Sequence, residues 1–237
     1  GYTASDLSTY FSGLGLAVPS VTAVGVDGGS NSPGQSADGE VELDIEVVGG
    51  VAPGAVQVVY FATNTDQGFI DAIAQAVHAT PSPIAVSISW GQSEDQWSAQ
   101  SRTAMDQAFA DAAALGVTVT VAAGDNGSSD DPSEQTQVHC DFPASSPNAL
   151  ACGGTKLTGN PSSFAITSEV VWNELASNEG AGGGGVSDVF PLPSYQANAG
   201  VPKSAAASAS GPGGSGRGVP DVAGNADPVT GYLVVVD

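Results

Sequence analysis

Five largely apolar, β-branched runs recur along the chain: VTAVGV (21–26), VQVVYFA (56–62), IAVSISW (84–90), VTVTVAAG (117–124) and YLVVVD (232–237). Helical patterns lie between several of them. In SAQSRTAMDQAFADAAALG, the residues Met105, Ala108, Phe109, Ala112 and Leu115 share one face, and Gly116 supplies the stop. In DQGFIDAIAQAVHA, Phe69, Ile70, Ile73 and Val77 point inward. Apolar strands alternating with helices imply an α/β fold around a parallel sheet covered on both faces. A length of 237 residues, 41% of them hydrophobic, suffices for one large domain spanning 1–237. Between 176 and 218 the tracts GAGGGGVSD and SAAASASGPGGSGRG read as loops. No internal repeat is evident.

The stretch DGEVELDIEV (38–47) places Glu40, Glu42, Asp44 and Glu46 at every second position. As a strand it would carry all four acids on one solvated face, about 7 Å apart. As a helix it would pair Glu40 with Asp44 and, on nearly the opposite side, Glu42 with Glu46, so that one pair can face a site and the other water. Local signals favour the helix: Asp38 as N-cap, acids in the first turn, Gly49-Gly50 as a stop, and a Val41, Ile45, Val48 stripe.

Charge narrows the function. There are 25 acids against 4 Lys and Arg, a formal net charge of -21. Nucleic acid and anionic membranes are therefore not expected partners, and no apolar run is long enough to span a bilayer. With every carboxyl protonated the charge cannot exceed +7, from Lys, Arg, 2 His and the α-amino group. Self-repulsion in acid stays small, which suits a protein that works at low pH. The N-terminus GYTASDLSTYF lacks the regions of a signal peptide, so any targeting segment is expected to have been removed or never to have been part of this sequence. Cys140 and Cys152 have no zinc-ligand spacing and fit either a disulfide of a secreted protein or two buried thiols.

Ligands of parallel sheets bind beyond the carboxyl ends of the strands. IAVSISW ends at Trp90, VTVTVAAG leads into Asp125 of AAGDNG, and the helix near Glu40 follows VTAVGV. A carboxylate pair, a third acid and an aromatic are thus expected at one rim. Two partly buried carboxylates cannot easily both ionise, so one holds or passes a proton. Asp125, protonated in acid, would donate a hydrogen bond to an oxyanion. The plainer reading makes Asp125 a turn residue and Glu40/Asp44 a solvated face. No G-x-S-x-G elbow, Walker loop, H-E-x-x-H or Rossmann fingerprint occurs. DNGSSDD (125–131) lacks the EF-hand pattern and reads as a polar loop, while His78 and His139 read as structural or surface residues.

Taken in order, GEVELDIEV, SISWG, AAGDNG, DFPASSPNALACGGT, GGGVSDVFPLPSYQ and GRGVPDVAGNADPVTGY resemble the sedolisins, or serine-carboxyl peptidases. The resemblance covers nearly the whole chain. It implies a subtilisin-like three-layer fold and a secreted, acid-active endopeptidase with a Ser-Glu-Asp triad. Glu40 matches its general base, Asp44 the acid behind it, and Asp125 the oxyanion-hole acid. Trp90 and Gly91 match the edge on which extended peptides lie. Asp141 aligns with a carboxylate lining the substrate cleft, which implies a basic side chain at P2. The resemblance also implies the helix for 38–47.

Two departures accompany it. The family's first strand, which would precede GYTASDL, is not found, and neither is the G-G-T-S-A motif that follows the segment matching ADPVTGYLVVVD. Ser89 and Ser215 lack the nucleophile motif. The expectation is a catalytic domain incomplete at both ends, with the serine and the ligands of the family's calcium ion supplied by a second polypeptide. Alternatives are a non-catalytic peptide-binding protein and a hydrolase using its carboxylates directly, the aspartic version weakened by the lack of D-T-G or D-S-G.

Overall fold

The computed structural model describes residues 1–130, 138–204 and 214–236. Its contacts group into two compact units, Gly1–Ala76 with Tyr232–Asp237, and Val77–Gly231.

The first unit contains α1 (Ala4–Gly13), β1 (Val21–Gly25), α2 (Asp38–Val51), β2 (Gln57–Phe61) and α3 (Asp66–Val77). β1 and β2 pair in parallel, Val21 beside Gln57 through Gly25 beside Phe61. Thr3 caps α1 by accepting from the Asp6 N–H at 3.2 Å. Leu7 and Phe11, one turn apart on α1, bury against Ile45 of α2.

Helix α2 takes the expected form, with three local differences. Ala37, not Asp38, holds the cap position; the Asp38 carboxylate turns back instead and accepts from the N–H groups of Gly34 and Gln35 and from the Gly1 amine. The helix runs through Gly49 and Gly50 to Val51. Gly49 serves packing, since a Cβ there would lie 2.5 Å from Cζ of the buried Phe11 ring. Val48 is exposed and drops out of the apolar stripe.

The second unit contains β3 (Ala85–Ile88), β4 (Gln92–Ser93), α4 (Ala99–Ala114), β5 (Thr118–Ala122), β6 (Asp141–Phe142), β7 (Leu150–Gly159), β8 (Ile166–Val171), β9 (Gly185–Pro191), β10 (Gly216–Val219) and β11 (Val222–Asn225). Its central sheet runs β11-β7-β5-β3, all parallel, with β8 antiparallel on β7. The chain thus has an α/β fold with a central parallel sheet. Ser98 caps α4, Met105, Phe109 and Ala112 are buried, and Gly116 takes the left-handed φ of 76° after the last turn. Leu115, expected on that inner face, is exposed because the helix has already ended at Ala114. On α3, Ile73 and Val77 are buried as expected.

Two expectations fail. YLVVVD is not a strand: Tyr232–Val236 has no regular structure, because apolar β-branched residues make a strand only when a neighbour offers ladder bonds. The tract from 176 to 218 is not all loop, for β9 pairs antiparallel with β10. Tertiary bonds override its composition: Ser187 and Arg217 are both buried and fully engaged there. Much of SAAASASGPGGSGRG lies outside the described residues.

Candidate active site

β3 hands on to Ser89, Trp90 and Gly91, and β5 to Gly124 and Asp125. Since β3 and β5 are parallel, both segments leave the same edge of the sheet. β4 then pairs antiparallel with β6, setting Ser93 opposite Asp141. The result is a cleft of about 330 Å³ whose lining includes Trp90, Gly91, Asp125, Asn126, Asp130 and Asp141. Four of the residues expected at a site, Trp90, Gly91, Asp125 and Asp141, therefore meet in one concavity.

Each is held from behind. The backbone of the AAGDNG segment is fixed by the Gly-rich tract: Gly183 N–H donates to Gly124 C=O at 2.7 Å, and Ala181 N–H to Asp125 C=O at 2.8 Å. Trp90 meets Trp97 edge to face at 5.5 Å between ring centroids, Trp97 meets Phe142 at 5.0 Å, and Phe142 stacks on Phe190 at 5.8 Å. These contacts anchor a half-buried wall residue in the core.

Electrostatics favours neutral carboxyls. Asp141 is buried, its Oδ1 has no hydrogen-bond partner among the described residues, and its carboxyl is pushed up to about 9, first by burial and then by Asp130, Asp125 and Glu94. Asp125 keeps an exposed side toward the cleft, yet burial of the rest raises its carboxyl above the usual range. Both can carry a proton, and donate it in a hydrogen bond, where surface acids are ionised.

Two contributors escaped the sequence reading. Asp130 lines the cleft from the end of a 3-10 turn over Gly127–Ser129, in a left-handed conformation at φ 51°. Its signal was the acidic loop DNGSSDD, whose Asp131 lies outside the described residues. Glu94 is buried just after β4; it accepts from Ser187 Oγ at 2.7 Å and Asp188 N–H at 2.8 Å, and its own N–H donates to Cys140 C=O at 2.9 Å. It ties β4, β9 and the approach to Asp141 together. Nothing in SISWGQSE distinguishes it from a surface acid.

Glu40 and Asp44 lie one turn apart on α2 of the first unit, Glu40 exposed and Asp44 half-buried. The opposite pair, Glu42 and Glu46, is buried. Cys140 and Cys152 are free thiols, and burial pushes the Cys140 thiol up, away from reactivity. His139 Nδ1 lies 2.6 Å from Asp95 Oδ2. Among the described residues no group of three or more His, Cys, Asp or Glu is placed to hold a metal ion.

Comparison with known proteins gives these positions a context. Residues 15–216 match the model of the Subtilase family. The chain is 56% identical to kumamolisin of Bacillus sp. (strain MN-32) across its full length, and 34% identical to sedolisin of Pseudomonas sp. (strain 101) across 82% of it. It spans 42% and 35% of those two proteins. The solved structure of Pseudomonas sedolisin, a serine-carboxyl proteinase complexed with two molecules of pseudo-iodotyrostatin, superimposes with a TM-score of 0.81 at 33% identity, over 97% of this chain and 63% of that one. On the family match and these similarities, the chain belongs to the subtilase family, as a sedolisin.

Proposed function

We propose that the chain carries most of the catalytic apparatus of a secreted, acid-active serine-carboxyl endopeptidase acting on proteins or peptides. The observation that carries this reading is the cleft beyond β3 and β5, where Trp90 and Gly91 face two carboxyls, Asp125 and Asp141, that burial holds toward the neutral form. An extended peptide lies along Ser89–Gly91, and Asp141 with Asp130 receives a basic side chain at P2. The nucleophilic serine comes from peptidase sequence outside these 237 residues, on the same or a second polypeptide.

In the complete site Glu40 takes the serine proton as the hydroxyl attacks the scissile carbonyl, and returns it to the leaving amine. Asp44, one turn on, orients Glu40, as the third member of a triad must. Neutral Asp125 donates a hydrogen bond to the oxyanion of the tetrahedral intermediate. The family's calcium ion finds no fitting ligand set among the described residues, so no step here uses it.

The test is peptide hydrolysis by a serine-bearing form of the protein at about pH 4 and about pH 7, with Glu40→Gln alongside. Activity is expected in acid, reduced by roughly 10²–10⁴-fold in the variant. A parental rate for Glu40→Gln overturns the assignment. Because Asp125 must be neutral, activity falls as pH rises through its raised pKa.

A further inference from the structure

In the first unit, the inward pair on α2 is ionisable and almost wholly enclosed: Glu42 is 1% and Glu46 0% exposed. Each has one satisfied oxygen. Glu42 Oε1 accepts from Thr3 N–H at 2.8 Å, and Glu46 Oε2 from Val235 N–H at 3.0 Å. The other oxygens, Glu42 Oε2 and Glu46 Oε1, are buried without a hydrogen-bond partner among the described residues. A buried ionised carboxylate needs its lone pairs satisfied or a cation beside it. Neither carboxyl has both oxygens satisfied.

The charged surroundings make matters worse for the ionised form. From α1 comes Asp6, itself buried, and from the first turn of α2 comes Asp38; both repel a negative Glu42. Glu42 and Asp6 in turn repel a negative Glu46. Tyr2 and Tyr10 also face the pair, and Tyr232 faces Tyr10. Among the described groups around the pair, the Gly1 amine favours the ionised form of Glu42, and it is already held by Asp38. Residues 1–76 contain no Lys, Arg or His at all.

We propose that Glu42 and Glu46 form a proton-dependent lock that ties α2 to the start of α1, through Thr3, and to the Tyr232–Val236 segment, through Val235, closed while both carboxyls are neutral and loosened when they ionise. Enclosure raises both groups above the ordinary carboxyl range, burial being the largest cause in each. Folding therefore retains protons that the unfolded chain gives up. The stability they contribute is complete below the unfolded carboxyl range and is lost as pH rises through their folded values. This device is independent of catalysis. It would weaken the packing of α2 in the first unit as pH rises, whether or not the chain is a peptidase.

Amide hydrogen exchange of α2 peptides in the full chain tests it, corrected for the intrinsic pH dependence of exchange and followed from about pH 4 to about pH 8. Protection of α2 is expected to fall by up to tenfold per pH unit for each proton released. Glu42→Gln/Glu46→Gln is expected to flatten the profile. Should that variant fail to fold, Asp6→Asn serves instead: it removes a repelling charge, lowers the folded values and shrinks the total loss. Parental α2 protection that does not fall with pH, or a fall of the same size in the Gln variant or Asp6→Asn, overturns the proposal.

Discussion

The carboxyl group of Asp141 rests directly against Cα of Gly91, so closely that an added Cβ would overlap Oδ1. The β4–β6 pairing forces this approach, and only a residue without a side chain permits it. Gly91→Ala must push Asp141 out of its buried seat. A loss of about 1–3 kcal/mol is expected, as for other overpacked sites, together with, on the function proposed above, weaker binding of peptides basic at P2. Urea unfolding and peptide titration check the two effects separately.

Asp141 also has a signature in pH. Its carboxyl is pushed up to about 9, so the folded chain holds a proton there that the unfolded chain loses near ~4. The associated stability is present in acid and disappears as pH climbs from that lower value toward about 9. Asp141→Asn keeps the shape and removes the titration. Across this window the parental unfolding constant is expected to gain a component of up to tenfold per pH unit that the variant lacks. Chemical denaturation at a series of pH values reads the difference.

Glycine in a helix is usually a weakness, and replacing it with Ala gains about 1 kcal/mol. Gly49→Ala is expected to do the reverse, because the new Cβ would lie 2.5 Å from Cζ of Phe11, a ring with no exposed surface. Overpacking of about 1–3 kcal/mol outweighs the propensity gain. A thermal midpoint below that of the parent confirms the sign; one above it refutes the packing account of α2.

Glu94 offers a test of cleft architecture. Glu94→Ala leaves Ser187 Oγ and the Asp188 N–H without their acceptor in a buried place. A cost of about 2–4 kcal/mol is expected. Glu94→Gln keeps an acceptor for one of them and should lose less than half as much by the same urea measurement.

The frame of the site was legible because it depends on local pattern. Parallel strands with helical crossovers place Trp90 and Asp125 beyond strand ends, and i, i+4 spacing aligns Glu40 with Asp44 on any helix. What was not legible depends on partners distant in sequence. The pairs Glu40/Asp44 and Glu42/Glu46 are equivalent on paper, and only the packing of Leu7 and Phe11 on Ile45 decides which turns inward. Glu94 looks like a solvated acid until Ser187, 93 residues later, meets it. YLVVVD has the composition of a strand, and no ladder in the described residues receives it.

Positive charge is almost entirely committed inside this chain. Arg102 donates to the carbonyls of Glu94 and Trp97 at 2.5 and 2.7 Å, Lys156 lies between Glu174 and Asp227, and Arg217 is buried on Asp221. Lys203 bonds the Ser215 hydroxyl at 2.5 Å. If the cleft takes a basic side chain as proposed, another copy of the protein presents it with very little to grip. A chain whose few basic groups are already engaged makes the meeting of two copies unproductive.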